Sequence, residues 1–260
     1  MHSLGINIGS SSIKFVLMNG ESISHYKTVE HEGDFINTLK NIFSSIDIPA
    51  GTRMLVTGTE GRYLINAYNV IESICVEEAL KDLRIEANAV VSLGGENFLV
   101  YSINSEGRII TSFSGNKCAS GTGEFFKQQL GRMDMTLADV TEIPESSRVH
   151  HLSARCSVFM KSDCTHKLNK GEATKYDIVL SLSDVMATKV ADFLKRAKIR
   201  DGRVLLTGGV TNNPYIVQYI QEKLPDIKII IPEQAILRGI RRSTPCTEFR
   251  KPGSCNRGFI

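Results

Sequence analysis

Two of the six cysteines stand in settings that suit a metal-ligating or redox-active thiolate. Cys118 comes just before a glycine-rich segment that is predicted to start a helix, and Cys156 lies at the start of another segment with apolar periodicity. The N-terminal end of a helix lowers the pKa of a thiol and stabilises negative charge beside it. The small residues that follow Cys118 also leave room for a bound group.

Two other interpretations of these thiols remain open. Both can be buried structural residues, because an isolated cysteine usually behaves as a small apolar side chain. Zinc is the other alternative, since Cys156, Cys164 and His166 lie close in sequence, although no two cysteines are separated by two residues. We expect Cys164 to serve packing rather than ligation.

Glycine-rich turns form a second set of residues with chemical potential. Gly9-Ser10-Ser11-Ser12 separates the first two predicted strands, and Gly94-Gly95 separates the corresponding strands of the second half. Backbone N–H groups can converge on phosphate in such turns because no Cβ is in the way. The serines add hydroxyl groups, and Lys14 either reaches the phosphate or is solvated. Taken alone, the glycines could merely make turns.

The elements that must position these residues occur twice, in the order strand–strand–strand–helix–strand–helix. Apolar periodicity and turn residues predict strands over 3–8, 13–19, 22–29, 54–56, 89–93, 98–103, 109–113, 204–207 and 227–231. Helices are predicted over 33–46, 60–68, 76–86, 121–131, 136–140, 155–168, 173–198 and 213–223. The duplication predicts an α/β protein with two lobes, each built on a mixed sheet, whose glycine turns face one another across a cleft. We expect lobes at 1–88 and 89–242 and an irregular tail at 243–260.

Composition narrows the function classes. Among 260 residues, 42% are hydrophobic and 23% charged, as in an ordinary soluble globule, and a net charge of +3 is too small to indicate nucleic acid or a membrane surface. No apolar run approaches the roughly 18–20 residues that cross a bilayer. The first residues enter a strand pattern without a signal-peptide pattern, so we expect a cytoplasmic protein.

Several segments in fixed order resemble the activator ATPases of 2-hydroxyacyl-CoA dehydratases, which are related to the ATPase subunits of benzoyl-CoA reductase. The most specific are Cys-Ala-Ser-Gly-Thr-Gly at 118–123 and Arg-Cys-Ser-Val-Phe at 155–159. The other segments are Gly-Ile-Asn-Ile-Gly-Ser-Ser-Ser at 5–12, Ser-Leu-Gly-Gly-Glu-Asn at 92–97 and Leu-Thr-Gly-Gly-Val at 206–210. The resemblance covers about residues 3–235 and implies a duplicated actin-like fold of the actin, hexokinase and Hsp70 superfamily.

The resemblance implies an ATP or ADP site with Mg²⁺ between the lobes. The two glycine turns would be its phosphate loops. The segment at 208–210 would lie against the adenosine, where glycine permits close backbone approach. The residues expected to bind nucleotide are Gly9, Ser10, Ser11, Ser12, Lys14, Gly94, Gly95, Gly208, Gly209 and Val210.

The resemblance also implies a [4Fe-4S] cluster held between the subunits of a homodimer. Cys118 and Cys156 would supply two thiolates from each subunit, which matches the ligand set of such a cluster. Members of the family take an electron from a reduced ferredoxin or flavodoxin. They pass it to a partner dehydratase when ATP changes the angle between the lobes.

This chain departs from the family pattern where acidic residues are expected. Asn7, Ser92 and Asn97 stand in place of aspartates that would hold Mg²⁺ through water and orient the attacking water. Glu96 could restore a carboxylate, so we expect Glu96 and Asn7 to be the catalytic residues. The alternative is a nucleotide-binding redox regulator of the same fold with weak or absent hydrolysis. A small-molecule kinase also suits the fold, but no matching catalytic motif is found.

Overall fold

The structure is a computed structural model that describes residues 1–114, 122–154 and 156–231. The predicted tail at 243–260 therefore lies outside the described residues. Two five-stranded sheets form the framework, one drawn from residues before 70 and the other from residues after 88. Within the described ranges, no helix is long and apolar enough to cross a membrane.

The first sheet has the order β3-β2-β1-β4-β5. Its strands are β1 (His2–Ile8), β2 (Ser12–Asn19), β3 (Ser22–Glu30), β4 (Arg53–Gly58) and β5 (Tyr68–Asn69). The first three strands form an antiparallel meander, while β4 pairs in parallel with β1. The central strand β1 is therefore hydrogen-bonded on both edges, and its end is held beside the start of β2.

The second sheet repeats this arrangement with the order β10-β9-β6-β7-β8. Its strands are β6 (Ala89–Leu93), β7 (Phe98–Ile103), β8 (Ile109–Ser114), β9 (Gly202–Thr207) and β10 (Ile227–Ile230). Strands β6, β7 and β8 are antiparallel, and β9 runs parallel to β6. The predicted duplication into two mixed sheets is thus present, and the α/β prediction is confirmed.

The helices pack against the two sheets. They are α1 (Phe35–Ser44), α2 (Glu72–Leu83), α3 (Gly123–Arg132), α4 (Ser157–Asn169), α5 (Lys175–Arg196) and α6 (Pro214–Lys223). The long helix α5 lies in the core against α6 and the second sheet. Its first turn is closed by a capping box in which Thr174 and Asp177 bond to each other's backbone N–H groups.

Helix α2 contacts both sheets. Its Cys75 packs with Val16 and Met18 of the first sheet, whereas Val76 and Leu80 pack with the second sheet. The helix starts four residues before the predicted boundary. The sequence does not indicate this start, because no side chain caps the first turn. It ends at Arg84, which adopts the left-handed conformation that glycine usually supplies.

Two of the predicted helices are not α-helices. The segments at 60–68 and 136–140 form only short 3₁₀ helices, Glu60–Leu64 and Asp139–Glu142. Strand β5 was not predicted, because two residues are too few to show a period.

Candidate functional site

A cleft of about 870 Å³ opens between the two sheets. It is lined by the turn between β1 and β2 (the first turn, residues 9–12) and the turn between β6 and β7 (the second turn, residues 94–97). The structure places all of the predicted nucleotide-binding and catalytic residues at this cleft: Asn7, Gly9, Ser10, Ser11, Ser12, Lys14, Gly94, Gly95, Glu96, Gly208, Gly209 and Val210.

The two turns face each other at very short range. A Cβ on Gly95 would lie 2.6 Å from Ser11 Oγ and 3.0 Å from Ser10 Oγ. A Cβ at Gly95 would therefore displace the hydroxyl groups of these two serines. The turns are also closed alike, since Gly9 N donates to Ser12 O at 3.0 Å and Gly94 N donates to Asn97 O at 2.9 Å. The predicted opposition of the glycine turns is present.

Lys14 projects into this cleft from β2. Its Nζ donates to Ser12 Oγ at 2.9 Å. Burial lowers the pKa of Lys14, and the carboxylate of Glu72 acts in the opposite direction. The amine is thus tied to the first turn and lies where it can reach an anion held by that turn.

Glu72 is a cleft residue that the sequence analysis missed. It is the first residue of α2, and its Oε1 accepts a 2.7 Å hydrogen bond from Ser92 Oγ. Ser92 is buried at the end of β6, just before the second turn. A carboxylate therefore lies beside one of the positions where the family pattern has an aspartate.

The two residues predicted to be catalytic differ in exposure. Asn7 is 9% exposed and lies in β1 between Lys14 of β2 and Thr57 of β4. Glu96 is exposed at the tip of the second turn. Of the four glutamates that line the cleft, Glu96 is exposed at the rim and Glu72 is half-buried.

The opposite wall is built where β9 ends. Gly208 has a φ of 98°, and a Cβ there would lie 2.1 Å from the carbonyl oxygen of Leu93. Only glycine fits this position, because the chain passes directly over β6. The following 3₁₀ helix, Gly209–Asn212, leads to Asn213, whose side chain caps α6 and donates to Ser183 Oγ at 3.0 Å.

Only one of the two predicted cluster ligands can be placed. Cys118 lies outside the described residues. Cys156 is the N-cap residue of α4, is half-buried, and makes no capping hydrogen bond with its side chain. Beside it, Val158 and Phe159 are 69% and 64% exposed, so two neighbouring apolar side chains at the start of α4 face outward.

The remaining cysteine of this region behaves as a core residue. Cys164 is 3% exposed, and burial raises the pKa of its thiol to about 11. This agrees with the packing role expected for it. Within residues 1–114, 122–154 and 156–231, no three His, Cys, Asp or Glu side chains converge as a metal site. A ligand set of two cysteines per subunit would not form such a group within one chain.

Two similar mixed sheets, with opposed glycine turns at a shared cleft, define the actin-like class of ATPase folds. The chain belongs to the BadF/BadG/BcrA/BcrD ATPase family, which matches residues 4–241. The family resemblance noted in the sequence motifs is thereby confirmed.

Individual relatives are similar over most of their length. An uncharacterized protein of Methanocaldococcus jannaschii, MJ0004, is 28% identical over 240 residues, which cover 89% of this chain and 94% of the relative. The (R)-2-hydroxyglutaryl-CoA dehydratase activating ATPase of Acidaminococcus fermentans is 25% identical, with 86% and 88% covered. The solved activator of the 2-hydroxyisocaproyl-CoA dehydratase from Clostridium difficile, with bound ADPNP, superposes with a TM-score of 0.79 at 23% identity, covering 92% of each chain.

Proposed function

We propose that this protein is an ATP-dependent one-electron reductase that activates a partner enzyme resembling the 2-hydroxyacyl-CoA dehydratases. The observation that carries the proposal is the contact between the turns, in which Gly95 lies against Ser10 and Ser11 at the cleft. Membership of an ATPase family supports ATP or ADP as the ligand of this cleft. The activators among the relatives support the kind of partner.

In this proposal the two glycine turns bind the phosphates through backbone N–H groups, and Lys14 adds positive charge beside the first turn. Gly208, Gly209 and Val210 lie along the adenosine. The donor set fits Mg²⁺, because the hydroxyl of Ser92 and the carboxylate of Glu72 lie side by side as hard oxygen donors. When bound, Mg²⁺ would neutralise phosphate charge. Asn7 would orient the attacking water, and Glu96 or Glu72 would accept its proton.

The second part of the proposal is a homodimer that holds one [4Fe-4S] cluster through Cys118 and Cys156 of each subunit. The environment of Cys156 suits a cluster ligand, because the residue lies at a helix N-terminus and is only half-buried. The exposed Val158 and Phe159 next to it suit a surface that another protein chain covers. When bound, the cluster would carry one electron from a reduced ferredoxin or flavodoxin to the dehydratase.

The placement of the elements supports coupling between the nucleotide cleft and the proposed cluster. The proposed lobes, residues 1–88 and 89–242, meet at the nucleotide, and α2 contacts both sheets while its first residue lies in the cleft. A ligand that binds the closed cleft better than the open one shifts the population towards closure. Helix α3 would move with the second turn, because Gly123 N and Glu124 N donate to Gly94 O and Gly95 O.

A second candidate function is a nucleotide-binding redox regulator with weak or absent hydrolysis. Asn7, Ser92 and Asn97 favour it, since none of them carries the charge of an aspartate. The test is to purify the protein without oxygen and to add ATP, a reductant such as dithionite and a 2-hydroxyacyl-CoA dehydratase. ATP hydrolysis together with ATP-dependent dehydration would support the reductase. Tight ATP binding without hydrolysis or dehydration would favour the regulator, and absence of ATP binding would contradict both.

A further inference from the structure

His31 connects the first turn to the start of α1, and the residues of the proposed reaction do not include it. It follows β3 directly and is 4% exposed, which is low for a histidine. Its ring stacks on Phe35, with the ring centroids 3.9 Å apart and an interplanar angle of 29°. The ring is therefore packed against the first residue of α1.

Both ring nitrogens of His31 are engaged. The backbone N–H of Gly33 points at Nδ1 at 3.0 Å, so Nδ1 must accept. A neutral ring that accepts at Nδ1 carries its hydrogen on Nε2. Nε2 lies 3.2 Å from the carbonyl oxygen of Gly9 and therefore donates to it. The backbone N–H of His31 also donates to Ser11 O at 3.3 Å.

In the second turn, the carbonyl of the corresponding glycine also has a donor from outside the turn. In that turn Gly94 O, which corresponds to Gly9 O, accepts from the backbone N–H of Gly123 at 3.1 Å. The start of α3 thus supplies for the second turn what the His31 ring supplies for the first. In both cases the donor lies outside the turn and fixes the direction of its peptide groups.

We propose that His31 is a positioning residue for the nucleotide phosphates, which acts through Gly9. The hydrogen bond from Nε2 to Gly9 O holds the first turn in the conformation in which it would meet the phosphates. This inference rests on the proposed binding of ATP to the cleft. His31 does not touch the phosphates itself.

Two substitutions test the contributions of the two ring nitrogens separately. His31→Gln keeps a donor at the reach of Nε2 and loses the acceptor, whereas His31→Asn keeps an acceptor near Nδ1 and loses the donor to Gly9. Both remove the stacking on Phe35. We expect His31→Asn to weaken the binding of Mg·ATP, measured by titration calorimetry on the full chain, about fivefold, and His31→Gln less than about twofold.

Two control variants make the comparison specific. His25→Asn makes the same change at an exposed site in β3, and Phe35→Leu removes the stacking while leaving both ring bonds. We expect wild-type affinity from both, with a lowered melting temperature for Phe35→Leu. Equal loss of affinity in His31→Asn and His31→Gln, in step with their melting temperatures, would show a structural role only and overturn the inference. Wild-type affinity in His31→Asn would also overturn it. Failure of the wild-type protein to bind Mg·ATP would instead overturn the proposed function, and this inference with it.

Discussion

Ser92 donates a 2.7 Å hydrogen bond to the carboxylate of Glu72 inside the cleft. The two residues come from different elements, the end of β6 and the first turn of α2. Their contact places a negative charge where the family pattern has an aspartate and this chain has a serine. If the protein hydrolyses ATP as proposed, we expect Glu72 rather than the exposed Glu96 to act as the base.

The first prediction compares these two carboxylates. Glu72→Gln should lower the rate of ATP hydrolysis about 10²-fold, because a general base contributes about 10²–10⁴-fold to such a reaction. Glu96→Gln, the same change at the rim, should lower the rate less than about threefold. Steady-state ATPase assays decide between them. A larger loss of ATPase rate in Glu96→Gln than in Glu72→Gln would instead make Glu96 the base, as the sequence motifs predict.

The second prediction concerns the distance between the turns. Gly95→Ala should weaken ATP binding about tenfold, because its Cβ would lie 2.6 Å from Ser11 Oγ and displace a hydroxyl group proposed to meet the phosphates. Gly131→Ala in α3 is the matched control, since nothing lies within 4 Å of the added Cβ. It should leave ATP affinity unchanged and stabilise the helix by up to about 1 kcal/mol. Unchanged ATP affinity in Gly95→Ala would contradict the closed arrangement of the turns.

The third prediction concerns the acid stability of the core. Burial raises the pKa of Asp177, but hydrogen bonds from the N–H groups of Arg148 and Thr174 outweigh burial and bring the pKa below its ordinary value. Asp177→Asn should destabilise the fold at pH 7 by about 1–3 kcal/mol, because its amide cannot accept all of these bonds.

The sign of the pH dependence follows from the depressed pKa. The carboxylate contributes its stability above its unfolded pKa of about 3.9, and the contribution is lost as the pH falls through the folded pKa. The stability difference between wild type and Asp177→Asn, measured by urea unfolding, should therefore shrink below about pH 4. The exposed Asp226→Asn is the control and should change little. A pH-independent difference would contradict the assignment.

Much of the fold could be predicted because the strands carry strong local patterns. The strands at 89–93 and 98–103 begin and end where the sequence predicts, since apolar residues fill them and glycines or polar residues flank them. The opposed turns could be predicted for a related reason, because the same order of elements occurs in each half. Repetition brings the two turns to equivalent places.

Glu72 could not be predicted, because its position depends on contacts that local sequence does not encode. Ile71 provides no capping side chain, so the sequence predicts the start of α2 four residues late and leaves Glu72 outside the helix. The contact with Ser92 also depends on how α2 packs against both sheets. The same holds for His31, whose partners Gly9 and Gly33 lie on opposite sides of its ring.

The fourth prediction concerns the thiols and tests the proposed electron transfer most directly. Protein purified without oxygen should contain about four iron and four sulfide per dimer. Cys156→Ala should lose this iron, while Cys164→Ala, which alters a buried core thiol of the same helix, should keep it. Iron and sulfide analysis of the three proteins, together with their mass in solution, is the decisive measurement. A dimer that loses its iron only in Cys156→Ala is the predicted result. An iron-free wild-type protein, or full iron content in Cys156→Ala, would contradict the proposal.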